Sequence, residues 1–314
     1  MKDSIFDKML SRYSPVTKEE KQNAIHEVMQ EIILAGLYKS NFFSKAAFYG
    51  GTCLRIFHGM QRFSEDMDFS LIQPEENFSL ENYFEPIIEE FKALGKEITI
   101  YRKVKNTHTN VESAFLKENT EIYNLQFTTE KRVKIKIEVD TKPPSGFETE
   151  YKLLLLPFSF MTRCYSLPDL YAGKMHAFMF RNWKNRVKGR DWYDFEWFVR
   201  YNIALNFIHL QKRTEQINAI KEEEFTIDIF KKNLKERIEK TNIEAVKNDV
   251  RPFLRNPKEI EIWSKKYFLQ LADKISIKEN KNELKRNKTA SLRPPARPVR
   301  RVARKMPVGQ QTNK

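Results

Sequence analysis

Phe48-Tyr49-Gly50-Gly51-Thr52-Cys53-Leu54-Arg55, followed shortly by Arg62-Phe63-Ser64-Glu65-Asp66-Met67-Asp68-Phe69, is the stretch on which the fold turns. Ala46-Ala47-Phe48-Tyr49 reads as a short buried strand that runs into a glycine pair. The chain restarts at once as a helix over Thr52–Phe57, with Leu54 and Phe57 on its inner face. Gly50 and Gly51 lack Cβ atoms, so a phosphate chain can lie against the backbone there. The free N–H groups and dipole of a helix start favour its negative charge, and Thr52 can add a hydroxyl contact. Taken alone, Gly-Gly-Thr is weak evidence, since an ordinary tight turn with Thr as a helix cap is the commoner meaning of such a string. No Gly-Lys-Ser/Thr string is present, so this is not a P-loop. Asp66-Met67-Asp68 shifts the balance. Phe63–Leu71 reads as a strand, in which residues two apart face the same way, roughly 6–7 Å apart. Two such carboxylates can bridge a pair of Mg²⁺ ions about 3.5–4 Å apart, as phosphoryl and nucleotidyl transfer require. Met67 and Phe69 then pack behind the sheet.

Outward from this stretch, residues 17–37 read as a helix on the spacing of Ile25, Val28, Met29, Ile32 and Ile33. A helix over Leu80–Leu94 is closed by Gly95. Strands follow at Ile98–Val104, Ile122–Phe127, Val133–Val139 and Leu153–Leu156. In the third, Val133, Ile135, Ile137 and Val139 alternate with Lys134, Lys136, Glu138 and Asp140, a half-buried strand. Past Pro168 the pattern is helical, over Asp169–Trp183, Asp191–Tyr201, 226–240 and 257–274. The fold class is α+β, a mixed sheet with flanking helices and then a helical half. The expected division is 1–160 as the α/β domain, 161–279 as a helical domain completing the active site, and 280–314 as a tail.

The composition, 40% hydrophobic with 13% aromatic residues, is that of a globular chain. Of the formal charge of +14, residues 281–314 supply +10, from five Lys and six Arg against the single acid Glu283. The Pro/Arg-rich run Arg293-Pro294-Pro295-Ala296-Arg297-Pro298 cannot bury enough surface to offset ordering entropy, so the tail is expected to be disordered. No stretch reaches the roughly 20 apolar residues of a membrane-spanning helix. The charged N-terminus lacks a signal-peptide core. With Cys53 and Cys164 as the only cysteines, a reducing, cytoplasmic setting without a membrane is expected. His26, His58, His108, His176 and His209 have no metal-ligand spacing and are given no role. Trp192, Tyr193, Phe195, Trp197 and Phe198 read as core packing, with Tyr193 also a candidate to stack on a base.

The order strand, Gly-Gly-Thr, helix, Asp-x-Asp resembles that of DNA polymerase β-like nucleotidyltransferases. The fuller string, Gly50-Gly51-Thr52-x-Leu54-Arg55 to Arg62-Phe63-Ser64-x-Asp66-x-Asp68-Phe69, resembles the AbiEii/AbiGii toxin family. That family consists of minimal nucleotidyltransferases acting as toxins of bacterial toxin–antitoxin and phage-defence systems. The resemblance implies a third carboxylate on a later strand, which Glu138 matches. Asp140 shares that strand face, so both remain candidates. A third acid would complete the oxygen cage around the metals and help activate the attacking hydroxyl. Asp169-Leu170-x-x-Gly173-Lys174-x-x-Ala177, then Lys188-Gly189-Arg190-Asp191-x-x-Asp194, continue the match.

By this resemblance Asp66, Asp68 and Glu138 hold two Mg²⁺ ions, with Mn²⁺ the alternative. Gly50, Gly51, Thr52, Arg62, Ser64 and Lys174 hold the NTP co-substrate. Asp191 completes the catalytic set, while Arg190 and Asp194 support it. Asp249-Val250-Arg251-Pro252-Phe253-Leu254 and Trp263 to Phe268 resemble the family's C-terminal helical segment, giving coverage from about residue 20 to 275. The implied acceptor is RNA, particularly the tRNA 3′ end, and the implied partner is a cognate antitoxin, typically a winged-helix protein. A basic arm can supply salt-sensitive phosphate contacts without reading sequence. The alternatives are a protein or small-molecule acceptor, or a non-catalytic NTP- or nucleic-acid-binding module.

Overall fold

Two helices open the chain in the computed structural model, which describes residues 4–102, 120–127, 133–181 and 187–278. The short helix α1 (Ile5–Ser11) does not stand out in the sequence; Ser4 and Asp7 cap it reciprocally. Helix α2 (Lys18–Lys39) carries the same device at Thr17 and Glu20. Its residues Val28, Met29, Ile32 and Ile33 are fully buried, as their helical spacing requires.

The strands are β1 (Ala46–Tyr49), β2 (Met67–Leu71), β3 (Ile98–Arg102), β4 (Thr120–Phe127), β5 (Lys134–Asp140), β6 (Thr149–Leu154) and β7 (Phe160–Tyr165). They form one seven-stranded mixed sheet in the order β3-β4-β5-β2-β1-β7-β6. Strand β2 runs parallel to β5 and antiparallel to β1, while β1 is parallel to β7. Helix α3 (Gly50–His58) follows β1, and helix α4 (Phe84–Ala93) lies between β2 and β3. The helical half comprises α5 (Leu167–Phe180), α6 (Gly189–Arg200), α7 (Phe207–Gln216), α8 (Ile227–Lys240), α9 (Ile243–Val250) and α10 (Lys265–Asp273). Phe48, Met67, Phe69, Ile135, Ile137 and Val139 are fully buried behind the sheet. Their alternation leaves Asp68, Glu138 and Asp140 on the opposite face.

Several boundaries differ from the sequence reading. Strand β2 starts at Met67, not Phe63. The preceding backbone is satisfied by side chains rather than by a ladder: Gln30 Nε2 donates to the carbonyls of Ser64 (3.1 Å) and Glu65 (3.0 Å). The Thr52 hydroxyl donates to the Asp66 carbonyl. Asp66 therefore precedes the strand instead of lying in it. Helix α3 begins at Gly50, ahead of Thr52. The helix expected over Leu80–Leu94 is a 3₁₀ turn (Leu80–Tyr83) followed by α4, and Gly95 ends it at φ +68°. Residues 257–274 divide in the same way, into a 3₁₀ turn (Pro257–Ile260) and α10.

The strand expected at Leu153–Leu156 is β6, displaced toward Thr149 and paired with β7, which the sequence reading missed. Arg163 and Thr162 break the apolar run that would have announced β7. Helix α7 was missed because its sequence is mostly polar; it buries only Phe207, His209, Leu210 and Thr214. Lys103 and Val104, Trp183 and the tail from 280, all part of the sequence expectations, lie outside the described residues. Cys53 and Cys164 are both free and buried, and burial with the nearby Cys164 thiol pushes the Cys53 thiol up. Among the described residues no helix is long and apolar enough to cross a membrane.

Candidate active site

The sheet positions the acids. Along the parallel β2/β5 pair, Asp68 lies beside Glu138, and Ser70 beside Asp140. Across the antiparallel β1/β2 pair, Asp68 lies beside Tyr49, the residue before the glycine pair. Glycine turn, Asp68 and Glu138 thus form one row across three central strands. A cavity of about 470 Å³ opens over this row. Its walls include Gly50, Gly51, Arg62, Ser64, Asp66, Asp68, Glu138, Asp140, Lys174, Arg190 and Asp191.

Like charge governs this row. Burial, with Glu138 and Asp66 adding their repulsion, pushes the Asp68 carboxyl up to about 6; Lys174 and Arg181 oppose the shift. A cation already answers that excess. The Lys136 ammonium, on β5, contacts Glu138 and lies 3.8 Å from Asp66 Oδ2. Among the described residues no three His, Cys, Asp or Glu side chains are gathered into a ready metal cage. The donor set nonetheless suits divalent ions. It consists of hard carboxylate oxygens, strained by mutual repulsion and bridged by a tethered ammonium where a cation would sit. Lys136→Met is expected to tighten Mg²⁺ binding by about fivefold, equivalent to ~1 kcal/mol, and to lower the melting temperature of the metal-free protein. Mg²⁺ titration followed by thermal melting reads both; unchanged affinity would show that Lys136 does not compete for the site.

The cradle is built by close approach. Gly50 has φ +82°, and a Cβ there would collide with Asp68 Oδ2. A Cβ on Gly51 would stand 2.7 Å from Ser64 Oγ and 2.8 Å from Arg62 Nη2. A side chain at either position would force these neighbours to shift, and at Gly50 it would also strain the backbone. Gly50→Ala should displace the Asp68 carboxylate and reduce nucleotide transfer by about 100-fold, with ~1–3 kcal/mol of backbone strain. Transfer rate and melting temperature measured on one preparation check it. Thr52, by contrast, is fully buried. Its hydroxyl is turned to Asp66 O and to Ser64 Oγ (3.0 Å), so it braces the loop that carries Asp66 and is not among the cavity walls.

Beneath the cradle lies a buried ionic cluster. Arg62 Nε and Nη2 donate to Asp194 Oδ1 (2.5 Å) and Oδ2 (2.7 Å), a bidentate pair. Lys174 Nζ is 2.9 Å from the same Asp194 Oδ2. Asp194 has no exposed surface, and Arg62 keeps 2%. Arg62 and Lys174 hold the Asp194 carboxyl down to about 2 against the opposing effect of burial. Asp194 therefore does not face the cavity; it holds Lys174 and Arg62, which both line it.

Arg190 Nη1 donates to Glu65 Oε2 (3.0 Å), and its guanidinium lies over the Phe253 ring at 4.1 Å. Asp191, in the first turn of α6, is buried and borders the cavity. Gly189 can only be glycine here, since a Cβ would overlap the Val246 carbonyl of α9. Asp169, from the α5 motif, is fully buried. It accepts from Asn206 Nδ2 (2.6 Å) and Glu148 N (2.9 Å), tying α5 to the start of α7. Tyr193 is buried and its hydroxyl donates to Glu259 (3.3 Å), away from the role of base platform.

Residues without a role in the sequence reading also line the cavity: Lys136, Arg181, Lys188 and Arg213. Burial lowers Lys188 to about 8, with Arg181, Arg190 and Lys174 adding repulsion and Asp191 opposing. The signal for Lys188 was its place in the Lys188-Gly189-Arg190-Asp191 string. In the sequence Lys136 reads only as the solvent face of a strand, and nothing local marks Arg213. His26, His176 and His209 are buried, and burial lowers all three.

No functionally curated protein matches the chain. Among solved structures it is similar to the Helicobacter pylori protein JHP933, at 17% identity and TM-score 0.48, covering 86% of this chain and 96% of that one. A second similar structure, described provisionally as a nucleotidyltransferase from H. pylori, shows 17% identity and TM-score 0.47, covering 88% and 99%. The family model "Nucleotidyl transferase AbiEii toxin, Type IV TA system" matches residues 32–272, a span that takes in the cradle, the carboxylate row and the Arg62–Asp194–Lys174 cluster. The chain therefore belongs to the AbiEii nucleotidyltransferase toxin family of type IV toxin–antitoxin systems and is a nucleotidyltransferase.

Proposed function

We propose that the chain transfers a nucleoside monophosphate from an NTP to the 3′ hydroxyl of an RNA, a tRNA above all, with two Mg²⁺ ions or Mn²⁺ in their place. The observation that carries the reading is the single row formed by the glycine cradle, Asp68 and Glu138. On this reading the row is a phosphate seat beside a carboxylate cluster whose crowded charge favours cations.

Asp66, Asp68 and Glu138 would hold the ions, which supply charge neutralisation at the transferred phosphoryl group. Gly50 and Gly51 give backbone access to the triphosphate at the start of α3. Lys174, aimed by Asp194, neutralises its charge, with Arg62, Ser64 and Arg190 shaping the same wall. The acceptor oxygen forms its bond to the α-phosphorus as the bond to pyrophosphate breaks. Glu138 takes the hydroxyl proton; its register beside Asp68 favours it over Asp140, which lies beside Ser70. Asp191 borders the same space and completes the constellation. The catalytic power comes from positioning and preorganised charge.

On this reading 1–160 supplies the cradle and the acids, and 161–279 supplies Lys174 and Asp191. The basic tail gives the RNA a salt-sensitive contact. Family membership carries an antitoxin partner; the proposal adds a cytoplasmic setting and a role in phage defence. Periodate oxidation of the RNA terminal diol tests the acceptor. With α-labelled NTP and Mg²⁺, label should enter untreated RNA and fail to enter oxidised RNA. Equal labelling of both would remove the 3′ hydroxyl as acceptor, and label on protein would move the reading to a protein acceptor.

A further inference from the structure

Beyond Glu138 the sheet carries a cationic and aromatic patch that the reaction as described leaves unused, with Tyr101 and Lys134 exposed and Asn124 buried between β3 and β5. Strand register places Tyr101 of β3 beside Asn124 of β4, and Asn124 beside Lys136 of β5. Tyr101 and Lys136 therefore share the sheet face of Glu138. Lys134, two residues earlier on β5, stands on that face too, with Nζ 4.9 Å from the centre of the Tyr101 ring. Gln126 lies beside Lys134 in the register. Tyr101 is 37% exposed, and Lys134 is exposed. The opposite face is packed: Leu125, Ile135 and Ile137 are fully buried. An aromatic ring held open to solvent under a lysine is not a core residue left over from packing.

The geometry of transfer says what approaches from this side. Attacking and leaving oxygens lie roughly in line through the transferred phosphorus. The cradle at Gly50-Gly51 follows β1, so pyrophosphate departs on the β1 side. The acceptor hydroxyl must then arrive from the other flank of the carboxylate row, over β5 and β4. Lys136 is turned to Glu138 and Asp66, whereas Lys134 stands four residues from Glu138 along β5, about 13 Å away, roughly two phosphate repeats of an extended single strand. A basic track beside an aromatic platform is how proteins hold single-stranded nucleic acid without reading its sequence.

We infer that the Tyr101–Lys134 surface binds the single-stranded 3′-terminal segment of a polynucleotide acceptor, with a base stacked on Tyr101 and a backbone phosphate at Lys134. The inference rests on the nucleotidyl-transfer reading and deepens it. It names the form of the acceptor, an unpaired strand, and the residues that dock it. Binding is independent of base identity, since each base offers a face to stack and Lys134 contacts only phosphate.

The test uses the full chain and a fluorescent single-stranded RNA oligonucleotide, alone and annealed to its complement. Tyr101→Ala should weaken single-strand binding by about 5- to 150-fold, the range set by loss of one base–aromatic stack. Lys134→Gln should flatten the slope of log affinity against log salt by about 0.7. In transfer assays both variants should raise KM for RNA while leaving KM for NTP and kcat unchanged, a split that general loss of fold does not produce. Tyr101→Phe should restore binding. Wild-type affinity in Tyr101→Ala, or equal affinity of wild type for the annealed duplex, overturns the inference even where RNA is labelled. Failure of the wild type to label any RNA overturns the RNA-acceptor reading beneath it.

Discussion

Asp68→Asn is expected to reduce nucleotide transfer by about a thousandfold or more and yet to give a more stable protein at neutral pH. On the proposed function the rate loss follows from removing a central oxygen donor for the ions; losing ~4 kcal/mol of transition-state stabilisation corresponds to about 10³ in rate. The gain in stability follows from linkage. Asp68 has an ordinary value of 3.8, and burial with Glu138 and Asp66 pushes it up to about 6 in the folded chain. The folded state therefore binds the proton more tightly than the unfolded one. Its favourable contribution is fully present below the ordinary value and is lost as pH rises through about 6. Above that, the native chain carries a buried charge it does not favour, and asparagine removes it. Asp68→Asn should stabilise the metal-free protein by about 1–3 kcal/mol above pH 6, with the difference vanishing in acid. Mg²⁺ should raise the melting temperature of the wild type and leave the variant unmoved. A variant less stable than wild type at neutral pH would contradict the charge-crowding account.

Asp194→Ala should have the opposite signature, a large loss of stability together with loss of activity. Asp194 is the shared partner of Arg62 and Lys174, and neither Asp194 nor Arg62 has appreciable exposure. Removing it leaves two cations facing each other without an anion, at a cost of about 3–5 kcal/mol for a broken buried pair. For a chain of this size that is a fall of about 5–8 °C in melting temperature. Lys174→Met removes one cation but leaves the Arg62–Asp194 fork intact. It should therefore lose transfer activity at less than about 1.5 kcal/mol of stability. Denaturant melts and transfer rates on both variants separate the cluster's structural part from its catalytic part. Equal destabilisation by the two would mean that Lys174 serves the fold.

What was legible in the sequence was local. Gly50-Gly51 after an apolar run, and Asp66-Met67-Asp68 after a short helix, are spacings along the chain, and backbone geometry turns spacing into direction. The alternation Val133 to Asp140 likewise declares which residues of β5 face the core. The Arg62–Asp194 pair spans 132 residues, and no local pattern announces that these side chains share a buried ionic bond. Thr52 shows the reverse difficulty. Its place after two glycines offers it as a phosphate ligand, while the fold turns its hydroxyl to Asp66 O. Lys136 carries the alternation of a solvent-facing lysine and becomes a counter-ion only because β2 pairs beside β5. Strand β7 stayed hidden because Thr162 and Arg163 interrupt an edge-side strand whose neighbours, β1 and β6, are set by the fold rather than by any local pattern.

By the proposed function, the row of cradle and carboxylates transfers a nucleotide. The most direct measurement of this incubates the purified chain with Mg²⁺, each α-labelled NTP in turn and total cellular RNA, beside an Asp66→Ala/Asp68→Ala control. Label in a tRNA-sized band with one or more NTPs, pyrophosphate released in equal amount, and neither product in the control is the expected result. Labelled RNA of the same intensity from the control would contradict it, because the transfer would then not depend on the carboxylates that define the site.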